Sequence, residues 1–475
     1  MAIRRMRGAA RLPLAVLGAG LVLGGCSTDK LLNVNDPAVA TPGSLASAAA
    51  LPTLYVGAVG DFDVAYSGDN DGNNEGYSLV SAVIADELRD SDTFPTRIAT
   101  DQRQQQPVQN GNTSDGAFVR LQRARHSLAA AADAVKTAGV SSLVISSSNT
   151  IAATAAIANL KAMEGYSYVA LGEGFCNGIP FSDVVNGSTV YGASLTQAQV
   201  YDTAAARFNL AITTDGTNNM ARVGLGRALL DAGKFPEAAA AVASVPDNYV
   251  FNIEHSDNTG RQNNPFYAIA LSNQRYTVAD QEGGNGLAFR SALDPRVPWA
   301  DANVNGFDKV TRQYTDLRYS IYGTPLPLAT GVEARLIEAE AALKAGDATT
   351  WLAKLNGLRA QFATLMPRLQ PDWAAQIAKT TITARTLPPL TDPGTPDAQL
   401  ALMFSERAFW LYTTGHRLGD LRRLMRQYGK TDVQVFPTGT YFKGGSFGHD
   451  VAFPIPFTEN QNPNYHPDQC STTSA

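Results

Sequence analysis

Apolar residues recur at helical spacing in several separated stretches of the chain, and polar, turn-forming residues fill long intervals between them. Over residues 117–138, Phe118, Leu121, Leu128 and Val135 fall near a 3.6-residue period; the Ala-rich stretch 151–171 carries Leu160, Met163 and Tyr166 in the same way. This pair of helices must stop at Phe175-Cys176-Asn177-Gly178-Ile179-Pro180, where Gly and Pro break the pattern. Leu225-Gly226, Leu229, Gly233, Phe235 and Ala238 resemble a tetratricopeptide unit, with a glycine turn between two helices. Small Gly226 and Ala238 let the helices approach, Leu225, Leu229 and Phe235 fill their seam, and Pro246 ends the second one. Residues 332–362 repeat this grammar, with Ala339, Ala342 and Leu343, the turn Gly346-Asp347, and then Leu352, Leu355 and Leu358. A last pair, 400–414 and 416–428, is divided by Gly415, which is expected to take the left-handed conformation that ends a helix. About four such hairpins suffice to stack into a continuous right-handed array, so the predicted fold is mainly α.

The intervals 61–112, 249–330 and 367–396 are dense in Asn, Asp, Gly, Pro and aromatic residues. Patternless stretches beyond roughly 15 residues are functional or disordered, and the Tyr, Phe and Trp content argues against disorder. They are read as long irregular loops with a functional role. At the N-terminus, Arg4, Arg5, Arg7 and Arg11 precede a mostly apolar run that closes on Leu23-Gly24-Gly25-Cys26. That run is too short for a permanent span but right for a signal-peptide core, so residues 1–25 are expected to be removed and Cys26 to carry lipid. Residues 26–50, rich in Ser, Ala, Thr, Asn and Pro, form a tether leading into the body, and 51–475 are assigned to a single domain.

Loss of residues 1–25 removes four arginines and no acidic residue, which moves the formal charge from −5 to −9 and argues against nucleic acid as a partner. Nothing basic follows Cys26 to grip anionic lipid, and no later window approaches the roughly 18 apolar residues of a spanning helix. Attachment is therefore expected through lipid alone. The other two cysteines, Cys176 and Cys470, suit either a disulfide in an exported protein or two separate buried thiols.

Several blocks stand in a recognisable order. Leu31-Leu32-Asn33-Val34 follows Cys26, then come Glu164-Gly165-Tyr166, Gly178-Ile179-Pro180-Phe181 and Asp294-Pro295-Arg296. Glu338-Ala339-Glu340-Ala341 with Leu355-Asn356-Gly357-Leu358-Arg359 precedes Glu406-Arg407, Trp410, Gly415-His416-Arg417 and Asp420-Leu421-Arg422-Arg423. The chain ends with Phe453-Pro454-Ile455-Pro456, Glu459 and Asn462-Pro463-Asn464. Together they resemble the SusD/RagB family of outer-membrane nutrient-binding lipoproteins; Thr413-Thr414 and the closing Pro-Asp-Gln-Cys segment depart from the family pattern. The resemblance implies four tetratricopeptide-like helix pairs, a ligand face built from the loops, and an oligosaccharide or peptide ligand. It also implies a surface-facing position on the outer membrane, as the lid of a SusC-type TonB-dependent transporter.

Read as chemistry, the charged block is structural: Arg417 and Asp420, at i and i+3, are expected to pair, with Glu406 reaching an arginine of the next helix. Gly444-Gly445-Ser446-Phe447-Gly448 matches a nucleophile-elbow pattern but lies in a Gly-rich loop before Pro454 and Pro456, so no hydrolase, and no enzyme, is predicted. Asp69, Asp71 and Glu75 echo a calcium loop without its full spacing and are read as a surface turn; no zinc pattern and no cofactor site is found. For ligand binding the aromatic candidates are Trp299, Tyr66, Tyr77, Tyr314, Tyr319 and Tyr322, whereas Trp351 and Trp410 fall on helical faces of the core. The competing reading is a helical-repeat scaffold that binds other envelope proteins.

Overall fold

The central helix of the molecule is buried over most of its length because its sequence offers no polar face: every residue from Leu160 to Gly174 is buried. The computed structural model describes residues 47–475 apart from 73, 106–112 and 186. The signal segment 1–25, Cys26 and most of the 26–50 tether lie outside the described residues. Helices run α1 (Leu51–Tyr66), α2 (Gly76–Ile84), α3 (Pro95–Asp101), α4 (Ser114–Ala138), α5 (Ala153–Gly174), α6 (Gln197–Thr214) and α7 (Asn219–Asp231). They continue as α8 (Phe235–Val242), α9 (Gly331–Lys344), α10 (Ala348–Ala360), α11 (Phe362–Leu369), α12 (Trp373–Ile377), α13 (Pro396–Trp410) and α14 (Arg417–Tyr428). Each long helix packs on the next: α4 on α1, α5 on α4, α6 on α5, α7 on α6, and so through α8, α9 and α10. The α13 helix then lies against α9, and α14 against α2 and α5.

The predicted hairpins are present as α4/α5, α7/α8, α9/α10 and α13/α14. A Cβ at Gly226 would lie 2.4 Å from Val242 Cγ1, the close approach expected of the α7/α8 seam. Gly346 takes φ +80°, and Asp347 caps α10 by accepting from the Thr350 N–H. Gly415 is left-handed, at φ +79°.

The reading of 61–112 and 249–330 as irregular loops needs correction. The first holds the end of α1, all of α2 and α3, and β1 (Leu88–Asp90); beyond it lie the short strands β2 (Ser142–Ser146), β3 (Asn149–Ala152), β4 (Ile179–Pro180), β5 (Asp183–Val185), β6 (Ser188–Val190) and β7 (Ser194–Leu195). All nine residues of α2 are buried, so no amphipathic period marks it. The second holds β8 (Val250–Ile253), β9 (Tyr276–Val278), β10 (Trp299–Asn305), β11 (Arg312–Asp316) and β12 (Leu326–Thr330). They pair antiparallel as β1 with β9, β12 with β8, and β10 with β11. Helix α6 also escaped assignment, although Thr196 and Gln199 form a capping box and Val200, Ala204, Phe208 and Ala211 make a buried stripe.

Cys176 and Cys470 form a disulfide that closes a separation of 294 residues and fastens the C-terminal segment beside the end of α5. Glu87, fully buried after α2, accepts the Thr413 N–H at 2.8 Å in the α13/α14 turn. Burial pushes its carboxyl up to about 8, opposed by the Thr413 N–H and Arg417 and helped by Asp86.

Two outcomes follow. Cys176→Ser should lower unfolding free energy by about 2–5 kcal/mol, and a reductant should then have no further effect; an unchanged chemical-denaturation midpoint would refute the structural role. For Glu87 the folded value lies above the unfolded one, so its stabilisation is complete below about pH 4 and is lost as pH rises through about 8. Glu87→Gln should flatten this decline by up to about 1.4 kcal/mol per pH unit. Part of the slope should remain, because burial also pushes Asp63 to about 8 and Asp90 to about 7.

Candidate functional site

The predicted aromatic residues separate by burial. Tyr66, Tyr77 and Tyr319 are buried in the core. Their hydroxyls donate to the Thr414 carbonyl, Glu173 and the Thr413 carbonyl at 3.1, 3.0 and 3.0 Å. A ring with no exposed face cannot stack on a ligand, so these three are corrected to structural residues that tie the α13/α14 turn to α1 and to the segment after β11, and α5 to α2. Tyr322 is half-buried and packs edge-on against Tyr267 at 4.7 Å, away from the others.

Trp299 and Tyr314 come together. Register places Trp299 opposite Asp316 and Asp301 opposite Tyr314 in the β10/β11 hairpin, and the two rings meet edge to face at 5.6 Å. The Trp299 Nε1–H donates to the Arg290 carbonyl at 3.0 Å, and the Arg290 guanidinium lies 3.7 Å from the Tyr314 ring centroid. Farther along, Arg312 holds Asp301 at 2.8 Å and donates to the Asn303 side-chain oxygen at 2.7 Å. The hairpin thus presents flat rings beside amide, carboxylate and guanidinium groups.

At its tip are residues the sequence reading missed. Phe307 is 39% and Phe94 49% exposed, and the Arg275 guanidinium sits 3.4 Å from the first ring and 5.4 Å from the second while pairing with Asp92 at 2.7 Å. The tip is pinned: Phe307 N–H donates to the Gln274 carbonyl and Asp308 N–H to the Ser91 carbonyl, both at 2.9 Å. A Cβ at Gly306 would lie 2.4 Å from Ser91 Cβ, so only glycine permits this approach. Asn305-Gly306 between two strand-like runs was the available signal for a hairpin.

The charged block is a buried ion-pair lattice, as expected in kind, but its partners differ. Arg417 pairs with Asp86 at 3.1 Å and not with Asp420, which instead takes Arg407 at 2.8 Å and Arg423 at 2.7 Å. Glu406 receives Arg296 at 2.9 Å and Arg359 at 2.6 Å, neither from the following helix. Spacing along a helix cannot foresee arginines delivered by other layers.

The acidic turn does not converge on a site. Glu75 is buried against Arg97, Asp69 accepts from Asn74 at 2.8 Å, and Asp71 is exposed. Among the described residues no group of three or more His, Cys, Asp and Glu side chains is arranged to hold a metal. Ser446 lies exposed in a small glycine turn, bridged to Thr440, with left-handed Gly444 and Gly445 before it. Strand and helix do not flank it, as an elbow would require. A groove of about 470 Å³ opens between α13, α14 and residues 430–435, lined by Leu400, Leu421, Leu424 and Val433 beside Asp397, Arg417 and Lys430, and Phe404 is its one ring.

No family model matches the sequence, and no curated protein matches it either. Solved structures do. A SusD-like carbohydrate-binding protein from Bacteroides vulgatus superposes with a TM-score of 0.58 at 14% identity, over 89% of this chain and 98% of that one. A SusD/RagB family protein from Bacteroides thetaiotaomicron gives 0.59 at 12%, over 87% and 94%. A laminarin-binding SusD-like protein gives 0.57 at 16%, over 87% and 97%. The tetratricopeptide-like helix pairs and the layer of small sheets over them make up the SusD-like fold, and that is the fold of this chain.

Proposed function

We propose that this protein is a non-enzymatic capture protein for an oligomeric glycan, held on the outer membrane by lipid on Cys26 and working as the lid of a TonB-dependent transporter. The observation that carries the binding role is the pinned hairpin, with Trp299 and Tyr314 at its base and Phe307 beside Phe94 at its tip. Sugar rings bind proteins by stacking their apolar C–H faces on flat side chains while hydroxyls reach carboxylates, amides and guanidinium groups. Asp301, Asn303 and Arg312 supply those groups on the same hairpin. Names of two structural neighbours, a carbohydrate-binding and a laminarin-binding protein, support a glycan over a peptide. The anchor and the transporter partnership rest on Leu23-Gly24-Gly25-Cys26 and on the family resemblance of the sequence.

Titration of the mature protein against glycan oligomers should show binding without cleavage. Trp299→Ala and Phe307→Ala should each weaken it about tenfold, or about 1.4 kcal/mol, with thermal stability little changed in the exposed Phe307→Ala variant. Cleavage of the bound oligomer, or wild-type affinity in both variants, would refute the reading. In membranes of the native host, Cys26→Ser should move the protein from the membrane to the soluble fraction, and the wild type should co-purify with an outer-membrane barrel; recovery always as a free monomer would refute the lid role.

A further inference from the structure

We infer that the aromatic hairpin selects an acidic oligosaccharide, with Arg290 taking a sugar carboxylate at the Trp299/Tyr314 end and Lys309 a second one at the tip; this rests on the glycan-capture reading above. The chain is acidic overall, at formal charge −5, yet these two cations on its aromatic face have no carboxylate partner among the described residues. The neighbouring acids are already engaged. Asp301 is held by Arg312, Asp308 by Lys443 at 3.0 Å, and Asp280 by the N–H groups of Arg290 and Ser291 and by the Ser291 hydroxyl. Arg275, by contrast, is neutralised by Asp92.

Arg290 is also built in. Its guanidinium stacks on Tyr314, its carbonyl receives the Trp299 indole, and its Nε is buried without an acceptor. A stacked guanidinium gives up little freedom when it grips a carboxylate through two N–H groups. The Lys309 ammonium lies 5.9 Å from the exposed Phe307 ring, so the pairing of a cation with an aromatic face is repeated at the tip. Trp299 and Asn305 lie opposite Asp316 and Arg312, four residue steps apart on β11, about 13 Å at roughly 3.3 Å per residue, so the two cations suit carboxylates on separate sugars of one oligomer.

The test is calorimetric titration of the mature protein with oligomers of galacturonate, glucuronate and mannuronate, each alongside the same oligomer with its carboxyls reduced to alcohols. Neutral glucan and galactan oligomers and an oligoglutamate peptide complete the panel. At least one uronate should bind about tenfold more tightly than its reduced form, and Arg290→Gln and Lys309→Gln should each weaken the uronate about threefold more than its reduced form, so that the double variant loses the preference. The preference should shrink as salt rises, though less for the half-buried Arg290. Equal binding of acidic and reduced oligomers, or full preference in Arg290→Gln, would overturn this inference and leave glycan capture standing. Tighter binding of oligoglutamate would overturn the sugar assignment. Binding of no glycan of either kind would overturn both readings.

Discussion

Glu406 is the residue on which the relation between scaffold and binding surface depends. It is a carboxylate on α13 with only 3% of its surface exposed, and such a group is tolerated only if opposite charge and hydrogen bonds replace its water. Arg359 supplies one side from α10, within the helical array. Arg296 supplies the other from the layer above, engaging both carboxylate oxygens at 2.9 and 3.0 Å and Asp294 as well. Three residues after Arg296 the chain becomes Trp299, and the Trp373 indole holds the residue just before Arg296 through the Pro295 carbonyl at 2.9 Å. The electrostatic need of a helix in the scaffold therefore fixes where the aromatic hairpin begins.

The far end of that hairpin is fixed by different physics. Backbone hydrogen bonds to residues 91 and 274 and the missing Cβ of Gly306 hold the tip against β1 and β9, and packing around Phe307 and Arg275 closes the contact. A hairpin of two strands is marginal alone in water. Anchored at both ends, it can keep its rings in place before any ligand arrives, so little ordering entropy opposes binding.

How much of this was legible in the sequence follows from how each element gets its stability. Helices with one wet face announced themselves, as in 117–138 and 348–360, and so did the glycine turns between them. Helix α2 did not, because full burial erases the periodic signal. The strands did not either, because they are short and paired across long separations: β1 with β9 joins Leu88 to Val278. Trp299 and Tyr314 could be nominated, but Tyr66, Tyr77 and Tyr319 have the same composition around them and differ only in what covers them. The ion pairs were foreseen as a class and misassigned as partners, because Asp86, Arg296 and Arg359 reach the α13/α14 block from elsewhere in the chain.

The shape of the candidate surface bears on what it can hold. The groove beside α14 has one ring and suits no stack of sugars, whereas the hairpin is open along its length. A single aromatic contact is worth only about 0.5–1.5 kcal/mol beyond its buried area. Useful affinity on such a strip must therefore come from several contacts spread along it, which a monosaccharide cannot reach and a chain can. An open strip also places no demand on where the chain ends, so internal stretches of a polymer can lie across it. Length of ligand, more than depth of pocket, is the physical route to affinity in this architecture.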